Sequence, residues 1–397
     1  MKRILILLLL SLVSLSGVGQ GWTEQNSNTA QYLHSVHFVN PQLGWAVGDN
    51  GKILKSVNGG NNWNILSNGA PLASYRSIYF IDTQNGWIAG VSGLIKKTTN
   101  GGINWTSQSL GSSTHLYSVF FVDSLTGWCA GSSGRIAKTI NGGQTWQTQA
   151  SGTTNSLYSI HFTGTLTGWA SGDSGTILKT INGGITWSTQ NSESSQQLRS
   201  IISVDAETAW AVGANGTILN TTDGEIWTSQ NSGIINYLLY SVYFTDSQNG
   251  WSVGWNGTLL ETFDGGDIWT KRGLSSSPLH SVYFTDPLNG WIVGANGEIY
   301  HTTTGGVTPI HKTLVSSPNF SLYPNPAEEM VTLQTNGPIL SVQVTDALGL
   351  NVVETGHALS LPDQNGNHIN ISSLKPGIYW VKVKTAEGVA VQRVVKR

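Results

Sequence analysis

One position in this 397-residue chain changes its chemistry while the residues around it stay nearly constant. It precedes a recurrent serine in LHSV, YRSI, LYSV, LYSI, LRSI, LYSV and LHSV, and it holds His34, Arg76, Tyr117, Tyr158, Arg199, Tyr240 and His280. Aromatic faces stack on sugars, and guanidinium groups clamp carboxylates and polar peptides. Seven such groups around one opening would therefore make a binding mouth. The same side chains could instead pack between neighbouring units and fill a tapering centre. Trp255 is a further candidate contact, in a turn where other units carry Asp49, Val91, Ser132, Asp173, Ala214 and Ala295. There it is expected either as an exposed indole or as a half-buried plug against a neighbouring turn.

Catalysis makes stricter demands. A two-carboxylate hydrolase needs acids facing each other across a cleft. The acids that break the repeat pattern, Asp49, Asp173, Glu193, Glu207 and Glu298, show no pairing. The nine histidines include no H-x-x-x-H spacing and the single cysteine cannot pair, so no metal or cofactor is expected. With 11% charged residues and a net charge of −2, the chain offers no field suited to nucleic acid. Cys129 leaves no internal disulfide, and it sits where other units have Ala, Ile or Ser. It reads as a small buried hydrophobe.

The elements that must position these residues follow from a repeat. Gly-Trp or Ala-Trp occurs at Trp45, Trp87, Trp128, Trp169, Trp210, Trp251 and Trp291, in steps of 42, 41, 41, 41, 41 and 40. A second series, Trp22, Trp63, Trp105, Trp146, Trp187, Trp227 and Trp269, runs alongside it. Each unit holds four runs of β-branched and aromatic residues bounded by Gly, Asn and Ser, which read as strands. Asn50-Gly51, Ser174-Gly175 and Asn296-Gly297 mark two-residue hairpins between the second and third. Four antiparallel strands in about 41 residues is one propeller blade.

The first unit begins with only its Trp22 strand, and the last lacks that strand after TTTGGVTP. An unpaired edge is a liability. Pairing the segment near 21–25 with the last unit removes both defects and closes a ring of seven. The fold is therefore expected to be all-β, a seven-bladed β-propeller over 20–306. The spacing from outer Trp to inner Ser is 13, 14, 13, 13, 13, 14 and 12, so no connector is long enough to wall a pocket.

NGGNNW, NGGINW, NGGQTW and NGGITW, from Asn58, Asn100, Asn141 and Asn182, resemble the Asp-box of the BNR repeat found in sialidases and secreted glycosidases. That resemblance implies a hairpin turn between the third and fourth strands. Gly-Gly supplies positive φ, the Asx side chain bonds backbone NH groups, and the Trp packs beneath. Asn replaces Asp in most boxes, which a turn acceptor tolerates and a general acid does not. Asp82, Asp123, Asp205, Asp246 and Asp286, which precede the Gly/Ala-Trp, read as turn caps for the same reason. A sialidase-like site needs three convergent arginines. The propeller has only Arg76, Arg135, Arg199 and Arg272, in different units. The longer pattern G-W-x-x-G-x-x-G-x-I-x-x-T-x-N/D-G-G-x-x-W is similar to the repeat of photosystem II assembly and stability factors. Those are seven-bladed propellers that hold a protein client without catalysis.

MKRILILLLLSLVSLSGVG at 1–19 reads as a secretory signal peptide. Residues 307–318 form a linker, and 319–397 alternate like a small Ig-like β-sandwich with turns at Gly349 and Pro376-Gly377. Tyr379 and Trp380, adjacent on one strand, divide between core and surface. Pro324-Asn325-Pro326, Gly349, Leu374, Gly377, Tyr379 and Lys396 resemble the type A C-terminal sorting domain of the type IX secretion system of Bacteroidota. The resemblance implies that 319–397 engages the type IX machinery and its sorting peptidase. The protein would then be secreted or displayed on the outer membrane. The expected whole is a monomeric, non-catalytic binding or scaffold protein for an unidentified protein or glycan, the alternative being a secreted glycoside hydrolase.

Overall fold

The computed structural model describes residues 21–66, 72–306, 320–335, 339–345, 351–355, 367–385 and 388–397. The signal segment at 1–19, the linker at 307–318 and Gly349 lie outside these. The chain forms two compact units, Met1–Thr308 and Pro309–Arg397.

The first unit is seven four-stranded antiparallel sheets. Blades 1 to 6 occupy 33–66, 75–108, 116–149, 157–190, 198–230 and 239–273. Blade 7 takes three strands from 279–302 and its fourth, Thr23–Gln25, from the start of the propeller. Thr23 pairs with His301, Glu24 with Tyr300 and Gln25 with Ile299, so the ring closes as the missing strands predicted.

Turn chemistry sets the blade outline. At the second hairpin of blade 1, Asn50 (φ 53°) and Gly51 (φ 68°) are both left-handed, and Lys52 N donates to Asp49 O at 3.2 Å. This is the primed turn that Asn-Gly favours. In the box of blade 4, Thr180 Oγ1 accepts from Gly184 N at 2.9 Å and Asn182 Oδ1 from Thr186 N at 3.0 Å. Asp264 accepts from Ile268 N in the same way, so Asp and Asn are interchangeable acceptors here. Asp82 Oδ1 takes the NH groups of Gln84 and Asn85, both at 2.7 Å, and is a turn cap.

Tryptophan joins the blades. Trp45 is fully buried, stacks on Phe80 of blade 2 at 3.5 Å and donates Nε1 to Gly101 O of that blade's box at 3.2 Å. Trp105 meets the other side of the same Phe80 edge-on at 5.9 Å. Six interfaces repeat the stack. The seventh has Ser203 at the phenylalanine position, and there Trp169 packs edge-on against Trp227 at 5.5 Å. The recurrent serines close the inner edges: Ser35 Oγ accepts from Ile78 N of the next blade at 3.2 Å, and Ser77 from Val119 N at 3.1 Å. Six of the blades share this acceptor, and between blades 4 and 5 Ser159 Oγ instead donates to Ile201 O at 3.4 Å. Cys129 is buried, and burial pushes its thiol up to about 12, which makes it inert.

In the second unit, strands Phe320–Tyr323, Met330–Thr335 and Asn367–Asn370 make one sheet. Asn351–Thr355, Ile339–Thr345, Gly377–Thr385 and Gly388–Lys396 make the other. Leu322, Val331 and Leu333 from the first meet Val342, Val381 and Val394 from the second in one core. Tyr379 points in and donates its hydroxyl to Lys375 O at 2.9 Å, while Trp380 is the exposed member of the pair.

Candidate functional site

The seven variable residues come together, and a local irregularity places them. In every first strand the pairing register slips across this position, between Leu33 and Ser35 in blade 1 and between Leu116 and Ser118 in blade 3. Each is therefore the extra residue of a β-bulge, a device that re-aims a side chain. All seven are half-buried. Arg76 Nη1 lies 2.8 Å from His34 Nε2, and the His34 and His280 rings stack at 5.0 Å. Tyr240 meets His280 edge-on at 5.2 Å, the Arg199 guanidinium lies 4.2 Å over Tyr158, and Tyr158 contacts Tyr117 at 5.0 Å. The chain of contacts runs most of the way round the ring.

Two acids from the second hairpins buttress it. Asp49 Oδ1 lies 3.0 Å from His34 Nε2 and also accepts from Ser74. Asp173 accepts from the Tyr158 hydroxyl at 3.0 Å and from Gln197 Nε2 at 2.7 Å, while Arg199 Nε donates to Gln197 Oε1 at 2.7 Å. The two acids stand in different blades, each engaged with its own partners. Burial, helped by the Arg76 charge, lowers the His34 pKa to about 4, so this imidazole is neutral at physiological pH. Burial lowers His280 as well and raises Tyr158 and Tyr240. Among the described residues no group of three or more His, Cys, Asp or Glu side chains converges as metal ligands.

A second belt, which the sequence reading did not single out, runs three residues further along the same strands. His37 contacts Tyr79 at 4.6 Å and Tyr283 at 4.5 Å, Tyr79 contacts Phe120 at 4.8 Å, and Phe120 contacts His161 at 4.7 Å. Burial lowers His37 to about 3 and His161 to about 4. The belt is aromatic, and its two histidines are held in the neutral form by burial.

Trp255 opens the second hairpin of blade 6, against the first strand of blade 7, and is 53% exposed. It is the exposed indole of the two expected forms. A polar groove of about 790 Å³ lies elsewhere in the propeller, lined by the Ser132–Arg135 turn and the connector 148–154. There Arg135 Nη1 donates to Thr148 Oγ1 at 2.7 Å. The groove includes no member of the ring.

In the second unit the motif residues tie the chain end to the first strand's turn. Asn325 Oδ1 accepts from Val395 N at 2.9 Å, Ala327 N donates to Val395 O at 2.8 Å, and Lys396 Nζ donates to Glu328 O. Leu374 packs against the core. Pro324, Pro326 and Arg397 border a groove of about 490 Å³.

Comparison with known proteins agrees with this architecture. Residues 321–397 match the model of the secretion system C-terminal sorting domain. Residues 16–116, 149–233 and 225–309 match that of the photosynthesis system II assembly factor YCF48. YCF48 from Cyanidioschyzon merolae is 20% identical, with a TM-score of 0.61 over 71% of this chain and 98% of its own. A structure of YCF48 bound to D1 peptide is 20% identical, with a TM-score of 0.62 over 73% and 96%. PorZ, a surface component of the type IX secretion system of Porphyromonas gingivalis, is 12% identical, with a TM-score of 0.53 over 90% of this chain and 58% of its own. No curated protein matches in sequence. Identities this low speak to the fold, and one fold hosts many activities. The family models cover most of the chain, which belongs to the photosynthesis system II assembly factor YCF48 family and carries a secretion system C-terminal sorting domain behind its propeller.

Proposed function

We propose that this protein is exported through the type IX system by its C-terminal unit and acts outside the cell as a non-catalytic binding module, with the ligand held at the propeller mouth. The observation that carries the reading is the bulge under all seven mouth residues. The bulge re-aims this position in every blade, and there the residue type changes among His, Arg and Tyr while the serine after it stays constant. The structure of YCF48 bound to D1 peptide supports a binding role for a propeller of this shape.

An array of glycans and peptides probed with the full-length mature protein, its hits measured by calorimetry, tests the proposal. Arg76→Ala combined with Arg199→Ala is expected to weaken a hit by about tenfold or more, the loss of one or two charge-assisted contacts. The Tm should move by only a few degrees, because both arginines are half-buried at the opening. Unchanged binding would place the ligand elsewhere. A collapse in Tm would make the ring packing and nothing more. Release of reducing ends from a saccharide panel, lost on Asp49→Asn or Asp173→Asn, would instead establish the hydrolase.

A further inference from the structure

The mouth combines two properties that narrow what it can hold. The first is exposed aromatic surface. Tyr32 is 45% exposed, yet its ring lies 5.8 Å from His280 and 6.5 Å from His34. Trp255 is the other, at the position that Asp49 and Asp173 occupy in blades 1 and 4, where side chains reach the ring. Its turn packs on the strand that carries His280. Two exposed aromatic residues thus neighbour the strand that carries His280, Tyr32 by ring contact and Trp255 through its turn. Exposed aromatic faces beside a polar opening are surfaces on which a ligand ring can stack.

The second is charge balance. Arg76 and Arg199 are offset by Asp49 and Asp173, and burial favours the neutral forms of His34 and His280 between them. An anionic or cationic ligand would meet no net field of the opposite sign. Hydroxyl, amide, carboxylate and guanidinium groups nonetheless supply dense donors and acceptors. Stacking platforms beside neutral, hydrogen-bonding polar groups suit the CH faces and hydroxyls of a pyranose ring.

We infer that the mouth binds a neutral oligosaccharide, with sugar rings against Trp255 and Tyr32 and their hydroxyls on the Asp49, Asp173 and Arg199 clusters. This rests on the mouth being the binding site, as proposed above, and adds the class of ligand.

The test titrates the full-length mature protein with neutral hexasaccharides (gluco-, manno- and xylo-configured), with oligouronates, and with acidic and basic peptides. Calorimetry and tryptophan emission are followed at 50 and 500 mM NaCl. A neutral hexasaccharide should bind with an affinity that changes less than twofold between the two salts. Trp255→Ala should weaken it at least tenfold with the Tm unchanged, and Tyr32→Ala by a smaller factor. If only oligouronates or peptides bind, with strong salt dependence and sensitivity to Arg76 and Arg199, the oligosaccharide inference falls while the mouth stands. If a ligand binds but neither Trp255→Ala nor the double arginine variant weakens it, both readings fall together. Absence of binding across all classes overturns the inference too.

Discussion

Trp22→Ala is expected to lower the free energy of unfolding by about 3–5 kcal/mol, measured by urea denaturation of the full chain with near-ultraviolet circular dichroism. Trp22 is buried and edge-on to Phe284 at 5.7 Å, like the outer tryptophan of the other stacked interfaces. Its hydrogen bond differs. Nε1 donates at 3.2 Å to Glu261 Oε1, a carboxylate in blade 6 that is essentially sealed from water. In blades 1, 3 and 4 the equivalent third-strand residue is a lysine, as Lys55, Lys138 and Lys179 show by donating to the next blade's box at 2.8, 3.0 and 2.8 Å. At the seam between chain start and chain end, the lysine is replaced by a buried acid. Burial pushes the Glu261 pKa up, against the pull of Trp22 and of Arg272, whose Nε lies within 2.5 Å of Oε2. Glu261→Ala, which removes the Trp22 acceptor and the Arg272 ion pair while Arg272 keeps some access to water, should cost about 2–3 kcal/mol. The two substitutions share one contact, so together they should cost about 1 kcal/mol less than their sum. Strict additivity would show that Glu261 does not lock the seam. A loss below about 1 kcal/mol for Trp22→Ala would mean that the closing strand contributes little to the ring.

The architecture was legible because its evidence is local and repeated. The tryptophan steps, the Asn-Gly hairpins and the missing strand at each end each name one feature of a closed ring. The box was legible for the same reason, since Asn182 and Asp264 act on residues at most four positions away. Contacts between blades were harder to read. Nothing within a unit tells Trp45 that its partner is Phe80, or tells Ser35 that it caps the NH of Ile78. The bulge did leave a trace. Leu33, Val36 and Phe38 are all buried, with a gap of three and then a gap of two, where strict alternation gives twos throughout. Read that way, the broken period marks an irregularity between Leu33 and Val36, and only the pairing singles out His34. The belt residues His37, Tyr79 and Phe120 were hidden by resemblance to ordinary strand aromatics. Glu261 was hidden because its column already varies, with lysine at 55, 97, 138 and 179, Asn220 and His301, and only the packing reveals what each of them bonds.

Stability is expected to fall steeply between pH 7 and pH 5, above the window in which the turn-capping aspartates titrate. His37 is buried in the belt, and burial brings its pKa from 6.5 to about 3; His161, hydrogen-bonded through Nδ1 to Ser203 Oγ at 2.9 Å, is brought to about 4. In the unfolded chain both titrate near 6.5. Between 6.5 and about 4 the unfolded state therefore binds more protons than the folded one, and the unfolding free energy rises with pH across that window. The contribution is complete above about 6.5 and is lost as pH falls toward the folded values. Each histidine should account for about 2 kcal/mol between pH 7 and pH 5, so the pair should remove about 4 kcal/mol. The turn-capping aspartates act in a lower window. Although partial burial opposes it, hydrogen bonds from Asn85 and Gln84 hold Asp82 below its ordinary value of 3.8, so its contribution persists until more acid conditions. His37→Phe, which copies the residue found at the equivalent Phe120, should remove the share of about 2 kcal/mol that His37 contributes, the remainder being spread over His161, His34, His301 and His280, which burial also lowers, and should leave the Tm at pH 7.5 unchanged or slightly raised. Thermal melts of the full chain from pH 7.5 to pH 4.5 decide the matter. A flat profile in wild type, or one that His37→Phe does not change, would mean that the belt admits water and that the two histidines are not sealed within it.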